Sequence, residues 1–325
     1  MEPTIKAQYS PQIVEDAVAR YAVDRATLQP LDGFESYIYE CRRAGQACIL
    51  RISHDLHRNA QAIAGEIDWV NYLADNGVDA CRALPSVDGN LVEPLDSGFT
   101  AALFMKAPGT HSSAEIWQPP LFESMGQLMG RMHALAKTYR PADPVIRRPD
   151  WDTDIIGLAE KFIPDQPRII EKFNANIAAT RALPRNRDNY GLIHIDFHGG
   201  NFFVDDGRIY IFDFDDSQYS WFADDIAMCL FYAVSHDCSS VEELAHARTF
   251  LRHFLTGYAR ENEIGRNELA NIPFFLKRRE VDLYTIIHRS QDMNNLDGWS
   301  SSFMTRRAEK ILNDVPYIDL DFTQI

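Results

Sequence analysis

The sequence predicts an α+β protein with a small, strand-rich N-terminal part and a larger, mainly helical C-terminal part. In the first hundred residues, short β-branched and aromatic runs are separated by Gly and Asp turns, a pattern typical of strands. One apolar stripe at helical spacing interrupts them. Beyond residue 119 the apolar positions repeat about every 3.6 residues over long segments, which indicates helices.

The N-terminal part is expected to form an antiparallel sheet with one helix. Its helix is predicted from Ile63, Ile67 and Val70, which share one face, and Asn76-Gly77 predicts where the helix ends. The predicted strands are Tyr37–Cys41, Ala47–Ile52, Asn90–Glu93 and Phe99–Met105.

The C-terminal part is expected to be helical except for one β segment at Asn201–Phe212. Between the two parts, Pro108-Gly109 is the candidate hinge, so we expect an N-terminal domain over residues 1–106 and a C-terminal domain over residues 107–325. The predicted helices are Pro120–Lys137, Val241–Glu261, Pro273–Ser290 and Thr305–Asp314.

Charge and composition narrow the possible partners. The chain has 325 residues, with 32 Lys and Arg against 47 Asp and Glu, which gives a net charge of −15. An acidic surface repels nucleic acid and anionic lipid, so we expect neither as a partner. A small cationic or metal-bound ligand fits this charge better, and the composition leaves the oligomeric state open.

Cysteine usage and hydropathy predict a reduced, cytoplasmic protein. The five cysteines are an odd number and contain no CxxC pair, which argues against a disulfide framework or a zinc site. No export signal is recognisable, and the longest apolar run, Ile226–Val234, is far shorter than a membrane helix. The cysteines are Cys41, Cys48, Cys81, Cys229 and Cys238.

Carboxylates are concentrated between residues 196 and 225. Eight aspartates and one Arg fall in this segment, and such crowding requires a compensating cation or hydrogen-bond donors. Asp205-Asp206-Gly207 predicts a tight hairpin turn in which residue 205 pairs with residue 208. Asn201 then lies opposite Phe212, at the open end of the hairpin.

The hairpin register predicts a magnesium site. Asp213 follows Phe212 directly, and Asp196 lies in the Gly-rich loop that leads into the first strand, so Asp196, Asn201 and Asp213 are expected to converge. Carboxylate and amide oxygens suit Mg²⁺. Two alternatives stay open: Asp205 and Asp206 are solvated turn residues, and His194, Asp196 and His198 form a transition-metal cluster.

These residues also form a familiar pattern. His194-x-Asp196-x-x-x-x-Asn201, followed by Ile211-Phe212-Asp213, resembles the catalytic loop and metal-binding Asp of the protein-kinase-like superfamily. The H-x-D-x-H-x-G-N variant looks like the aminoglycoside phosphotransferase and choline kinase branch. The resemblance implies a bilobal kinase fold and an ATP- and Mg²⁺-dependent phosphotransferase, with GTP not excluded.

The resemblance assigns roles to the residues of the motif. Asp196 becomes the catalytic carboxylate that orients the hydroxyl of the acceptor, and Asn201 and Asp213 become the ligands of Mg²⁺. Asp225 matches the Asp that ties the catalytic loop to the following helix. The supporting residues implied are His194, His198 and Asp225.

Upstream, the resemblance is looser. Kinases pair a strand Lys with a helix Glu at the nucleotide phosphates, and here Arg51 and Glu66 take those positions. Glu66 lies at the edge of the apolar helix stripe, where a carboxylate needs a partner. The alternative is a surface ion pair without phosphate contact.

Further nucleotide contacts are expected from a loop and from the hinge. The loop Leu31–Tyr39 keeps one glycine of the usual glycine-rich loop, Gly33, and Ser36 adds a hydroxyl that is able to reach the phosphates. Met105 lies in the segment whose backbone is expected to hydrogen-bond the purine.

The acceptor is expected to be a small amine-bearing molecule, such as an amino alcohol, an amino sugar, an aminoglycoside or a hydroxy amino acid. Acidic and aromatic residues near the metal site suit a cationic group. The short segment from Asp213 to Asp225 argues against the alternative of a Ser/Thr protein kinase; a non-catalytic nucleotide-binding relative is the other alternative. The candidate acceptor residues are Asp215, Asp216, Trp221, Tyr284 and His288, with Asp237 as a further candidate.

Overall fold

The protein is described from a computed structural model that covers residues 3–33, 35–234 and 240–325. Strands and helices are both present, which confirms the α+β class. The strands are β1 (Gln29–Leu31), β2 (Tyr37–Arg43), β3 (Gln46–His54), β4 (Ala83–Leu84), β5 (Glu93–Pro94), β6 (Phe99–Met105), β7 (Tyr190–Ile193), β8 (Phe202–Asp205), β9 (Arg208–Ile211) and β10 (Gln218–Trp221).

The helices dominate the second half of the chain. They are α1 (Pro3–Gln8), α2 (Pro11–Tyr21), α3 (Ala60–Asp75), α4 (Pro119–Ala136), α5 (Leu158–Phe162), α6 (Pro167–Arg181), α7 (Phe222–Ala233), α8 (Val241–Tyr258), α9 (Arg266–Leu269), α10 (Ile272–Ser290), α11 (Gly298–Met304) and α12 (Arg307–Leu312). Short 3-10 turns lie at Arg25–Thr27, Asp96–Gly98, Pro144–Ile146 and Phe322–Gln324.

The chain forms two compact units. The first contains residues 1–111, 139–148 and 202–215, and the second contains residues 112–138, 149–201 and 216–325. The β8–β9 hairpin joins the first unit because its backbone pairs there: the Val204 N–H donates to the Thr110 carbonyl at 2.8 Å, and the Ile211 N–H donates to the Asp79 carbonyl at 2.9 Å. The predicted boundary after residue 106 stays a prediction.

The first unit is built on an antiparallel sheet in the order β1-β2-β3-β6-β4, with β5 paired to β6. Neighbouring residues of a strand point to opposite faces. On β3, Leu50 and Ile52 therefore join the core that contains α2, and Arg51 points to the other face, where α3 packs through Ile63.

One expectation for the first unit is wrong. The structure places α1 and α2 before the sheet, so this part contains more than the one expected helix. Buried Ile13, Ala17 and Tyr21 recur at helical spacing on α2, and this apolar stripe is the sequence signal for the additional helix. The strand expected at Asn90–Glu93 is also displaced, since β5 contains Glu93 and Pro94 only.

The second unit is mainly helical, as predicted. The expected helices correspond to α4, α8, α10 and α12, with their ends moved by a few residues. α4 and α8 pack closely because Gly126 of α4 lies against the backbone of Phe254, where a Cβ atom would sit 1.8 Å from the carbonyl oxygen. The short β7–β10 pair was not predicted. β7 leads into the loop of residues 194–201, and β10 leads into α7.

The structure also bears on membrane-spanning helices and on the state of the cysteines. In the described part, no helix combines the length and apolarity needed to cross a bilayer. The cysteines in that part are free thiols, and Cys238 lies outside it. The free cysteines are Cys41, Cys81, Cys48 and Cys229.

Candidate active site

The loop between β7 and β8 is shaped by its two histidines. Nδ1 of His194 accepts a hydrogen bond from the Asp196 N–H at 3.2 Å, and Nδ1 of His198 accepts one from the Gly200 N–H at 2.9 Å. Each imidazole therefore stabilises a tight turn by accepting a hydrogen bond from the backbone N–H of the second residue after it. His194 is buried, with 1% of its surface exposed, which agrees with the supporting role predicted for it.

The Asp196 carboxylate is held by neighbours from the same loop and from α10. Its Oδ2 accepts from Nδ2 of Asn201 at 2.9 Å and lies 3.3 Å from Nε2 of His198. Because Nδ1 of His198 is an acceptor, Nε2 carries the hydrogen and donates to the carboxylate. Oδ1 lies 3.9 Å from Nη2 of Arg279.

These contacts keep Asp196 ionised. Burial of the carboxyl opposes its charge, but the hydrogen bond from His198, followed by the electrostatic effects of His198, Arg279 and His194, lowers the pKa of Asp196 to about 2. At neutral pH the group is a carboxylate, ready to accept a hydrogen bond from a hydroxyl.

Asn201 is oriented by Asp196. Its Nδ2 donates to both the carboxylate and the backbone carbonyl of Asp196, each at 2.9 Å. Both amide hydrogens are thereby used, and the amide oxygen Oδ1 is the atom that this side chain offers to a cation. An amide oxygen fits a hard cation such as Mg²⁺.

Asp225, in the first turn of α7, anchors the loop. Its Oδ1 accepts from the Ile195 N–H at 2.8 Å, and its Oδ2 accepts from the His194 N–H at 3.1 Å. Ile195 has a φ of 65°, a left-handed conformation that is costly for a β-branched residue. The fully buried carboxylate stabilises this strained backbone.

His133 on α4 supports Asp225 and was not predicted from the sequence. Its Nε2 lies 3.0 Å from Oδ2 of Asp225, and its Nδ1 lies 2.9 Å from the Tyr258 hydroxyl. Burial lowers the pKa of His133 despite the opposing effect of Asp225, so the ring is neutral at physiological pH. A buried histidine in the apolar face of a predicted helix was the available signal.

In the first unit, Arg51 and Glu66 form the predicted pair. Nη1 of Arg51 donates to Oε1 of Glu66 at 2.9 Å, and Nη2 donates to Oε2, which makes the contact bidentate. The two side chains are 9% and 1% exposed, so the alternative of a surface ion pair is wrong. The guanidinium also lies over the Phe104 ring, 4.9 Å from its centroid.

Asp213 and Asp215 belong to the same charged cluster. Burial disfavours the charge of Arg51, but the carboxylates of Glu66, Asp215 and Asp213 outweigh this effect and raise its pKa. Asp213 is exposed and has a φ of 63°, which aspartate tolerates better than most residues. The Asp215 carboxylate lies 3.2 Å from Nε of Arg58.

The β8–β9 register is as predicted. Asp205 pairs with Arg208 and Phe202 pairs with Ile211, so Asp206 and Gly207 form the two-residue turn. Both turn residues are exposed, as expected for a solvated hairpin. Asp213 belongs to the first unit and Asp196 to the second, so their convergence on one cation stays a prediction.

The loop and hinge residues have defined surroundings. A Cβ atom on Gly33 would lie 2.3 Å from the Ser36 carbonyl oxygen, which requires glycine at this turn. The Ser36 hydroxyl hydrogen-bonds that of Ser53 at 2.9 Å. Met105 uses its N–H to bond the Arg82 carbonyl at 2.9 Å, and a purine contact by the backbone of this segment stays a prediction.

The candidate acceptor residues divide into buried and accessible ones. Trp221 is 3% exposed and donates its Nε1–H to the Pro184 carbonyl, so it is a core residue and not an acceptor contact. Tyr284 is 5% exposed, and its hydroxyl donates to Gln166. Asp216 is exposed and His288 is half-buried. Asp237 lies outside the described residues.

The alternative of a transition-metal cluster at His194, Asp196 and His198 is not supported. Among the residues that the structure describes, no group of three His, Cys, Asp or Glu side chains is arranged to hold a metal ion. The acceptor atoms Nδ1 of both histidines are already occupied by backbone N–H groups.

Comparisons with known proteins agree with this geometry. The model of the phosphotransferase enzyme family (APH) matches residues 27–263. The chain belongs to this family. Amicoumacin kinase of Bacillus subtilis (strain 168) is 32% identical over 98% of this chain and 97% of its own length. Hydroxylysine kinase of Danio rerio is 24% identical over 70% of this chain and 71% of its own.

A solved relative extends the similarity to the fold. The structure of amicoumacin kinase hAmiN in complex with AMP-PNP, Ca²⁺ and Ami superposes with a TM-score of 0.93 at 33% identity, covering 100% of this chain and 99% of that one. The predicted family, kinase-like fold and phosphotransferase activity are thereby confirmed: the chain is a kinase of this family.

Proposed function

We propose that this kinase transfers the γ-phosphoryl group of ATP to a hydroxyl of a small amine-bearing molecule, with Asp196 as the catalytic residue. One observation carries the proposal: the Asp196 carboxylate is ionised, its Oδ2 is fixed by Asn201 and His198, and its Oδ1 accepts no hydrogen bond from the described residues. Oδ1 is therefore the oxygen that receives the acceptor hydroxyl.

In the proposed reaction the acceptor hydroxyl donates to Oδ1 of Asp196, which directs its oxygen at the γ-phosphorus. The new O–P bond forms while the bond to the bridging oxygen of ADP breaks, and the hydroxyl proton passes to Asp196 and then to solvent. A carboxylate with a pKa of about 2 is a weak base, so its main contribution is orientation. Orientation suffices because the transition state of phosphoryl transfer is loose.

Asn201 and Asp213 are the proposed ligands of a divalent cation, which when bound neutralises charge on the nucleotide phosphates. The fit is chemical: Asn201 offers an amide oxygen and Asp213 an exposed carboxylate, both hard donors. The use of a nucleotide with a divalent cation is supported by the AMP-PNP and Ca²⁺ bound to hAmiN. That the cation here is Mg²⁺, and the nucleotide ATP and not GTP, is our proposal.

Arg51 is the proposed phosphate contact of the first unit, in place of the usual lysine. Glu66 fixes the guanidinium through two of its five N–H groups, and Nε of Arg51 is buried with no hydrogen-bond partner among the described residues, so donors remain for a phosphate. Gly33 and Ser36 are proposed to cover the phosphates. Asp225, His194 and His198 are proposed to hold the catalytic loop in place.

The proposed acceptor class follows from the relatives. Amicoumacin kinase, hydroxylysine kinase and homoserine kinase are among the similar proteins. Hydroxylysine and homoserine each carry an amine as well as a hydroxyl, and the net charge of −15 on this chain favours cationic acceptors. Because amicoumacin kinase matches the chain over almost its whole length, amicoumacin is the first acceptor to test. Nucleic-acid and membrane partners are not expected, and a cytoplasmic location stays a prediction.

An ADP-release screen tests the proposal. The purified protein is assayed with Mg-ATP and amicoumacin, amino alcohols, amino sugars, hydroxy amino acids or a generic protein substrate. One amine-bearing class should stimulate ADP release strongly. Asp196→Ala should reduce that turnover by about 10²- to 10⁴-fold while Mg-ATP affinity stays within a few fold. Stimulation by the protein substrate alone, or an equal loss of nucleotide binding in Asp196→Ala, contradicts it.

A further inference from the structure

Arg279 on α10 is fixed by two neighbours. Its Nη1 donates to Oδ2 of Asp282 at 2.9 Å, and its Nη2 donates to the hydroxyl of Tyr232 on α7. The guanidinium is planar and its N–H bonds point in set directions, so two contacts determine both its position and its plane. Arg279 is a preorganised charge.

That charge faces the catalytic residue. Nη2 of Arg279 lies 3.9 Å from Oδ1 of Asp196, the carboxylate oxygen that Asn201 and His198 do not bind. This distance is longer than a hydrogen bond, so the lone pairs of Oδ1 stay available to a hydroxyl. The cation attracts Oδ1 without occupying it.

The surroundings make the attraction effective. The side chains of Arg279, Asp282 and Asp196 are 23%, 14% and 23% exposed, so water screens their charges only in part. Tyr232 also packs against the His198 ring, with centroids 4.7 Å apart. One aromatic residue thus contacts both Arg279 and His198, the two side chains that lie beside the carboxylate.

We propose that Arg279, held by Tyr232 and Asp282, is a positioning residue that fixes the Asp196 carboxylate with Oδ1 directed at the acceptor hydroxyl. The inference rests on the catalytic role proposed for Asp196. Arg279 acts through that carboxylate and not on the acceptor itself, so its removal should lower turnover and leave substrate binding unchanged.

The test compares Arg279→Ala, Arg279→Lys and the control Arg289→Ala, which removes an exposed arginine near the end of the same helix. Steady-state constants are measured with ATP and the acceptor of highest turnover from the screen. Arg279→Ala should lower kcat by about 10²-fold, the loss typical of a misplaced catalytic group. Both Michaelis constants should stay within about twofold. Arg279→Lys should recover part of the loss, and Arg289→Ala should match the wild type.

A double variant tests whether Arg279 acts through Asp196 or has a separate role. In an Asp196→Asn background, Arg279→Ala should cost little more, because groups that act as one unit are not additive. The inference is overturned if the kcat losses of the two single variants multiply in the double variant. It is also overturned if Arg279→Ala raises the Michaelis constant for the acceptor and leaves kcat unchanged. Should Arg279→Ala fail to fold, Tyr232→Phe removes only the hydroxyl that holds Arg279 and should lower kcat in the same pattern. If Asp196→Asn keeps wild-type turnover, the proposed function itself fails.

Discussion

Replacing either residue of the buried Arg51–Glu66 pair alone should strongly lower the stability of the protein. Replacing both residues together with apolar ones should change the stability little. The two side chains are 9% and 1% exposed and bind each other through two parallel contacts. Removing one partner leaves the other buried charge without its bidentate hydrogen-bond partner, which costs about 3–5 kcal/mol. At about 2–4 °C per kcal/mol, Arg51→Met or Glu66→Met should lower the unfolding midpoint by roughly 6–20 °C.

The double variant Arg51→Met/Glu66→Met distinguishes stability from nucleotide binding. Apolar residues of similar volume often replace a buried ion pair at no net cost, so its ligand-free midpoint should lie near that of the wild type. Wild-type protein gains about 2.7 kcal/mol of stability from a ligand at 100 times its Kd. The double variant should lose most of this gain with Mg-ATP because it has no phosphate contact from Arg51.

Thermal unfolding with and without Mg-ATP decides the matter. The control is Arg208→Met, which breaks an exposed pair with Asp79 in the same unit and should change the midpoint little. A wild-type response of the double variant to Mg-ATP would refute the phosphate role of Arg51. Single variants as stable as the wild type would refute the buried-pair argument.

Two further predictions concern the cation and the loop. Asp213→Ala should abolish the Mg²⁺-dependent part of nucleotide stabilisation in a thermal shift assay, and an unchanged shift counts against its role as a ligand. Asp225→Asn should destabilise the protein by about 2–4 kcal/mol and lower kcat, because a neutral amide accepts weaker hydrogen bonds and turns a donor toward the loop N–H groups. Denaturant unfolding and steady-state kinetics measure both effects, and unchanged values in either assay contradict this role for Asp225.

Features set by neighbours in the chain were predictable from the sequence. The Asp205-Asp206-Gly207 turn fixed the β8–β9 pairing because a two-residue loop permits one register. The position of Arg51 opposite α3 likewise follows from strand alternation, and Glu66 lies on the helix face that needs a partner. The parts of the site that lie within one hairpin, or within one strand and its neighbouring helix, could therefore be predicted from local geometry.

Features that depend on distant residues were not predictable. His133 and Asp225 are 92 residues apart, and helical periodicity marks His133 as buried without naming its partner. Trp221 was expected at the acceptor because it follows the motif closely in sequence. Its position at the start of α7 instead directs the ring to Trp151 and the rest of the core. Nearness along the chain does not determine the direction of a side chain.

The catalytic loop illustrates how such distant contacts control a local conformation. The left-handed conformation of Ile195 costs about 1–3 kcal/mol, and the loop sequence alone does not show what compensates for this strain. Two hydrogen bonds from loop N–H groups to the Asp225 carboxylate are each worth about 1.5–3 kcal/mol, so together they outweigh the strain. Without them Ile195 would relax toward a common conformation and rotate the next residue, Asp196, away from Asn201. Stability of the loop and orientation of the carboxylate are therefore one property, and a variant at Asp225 should change both together.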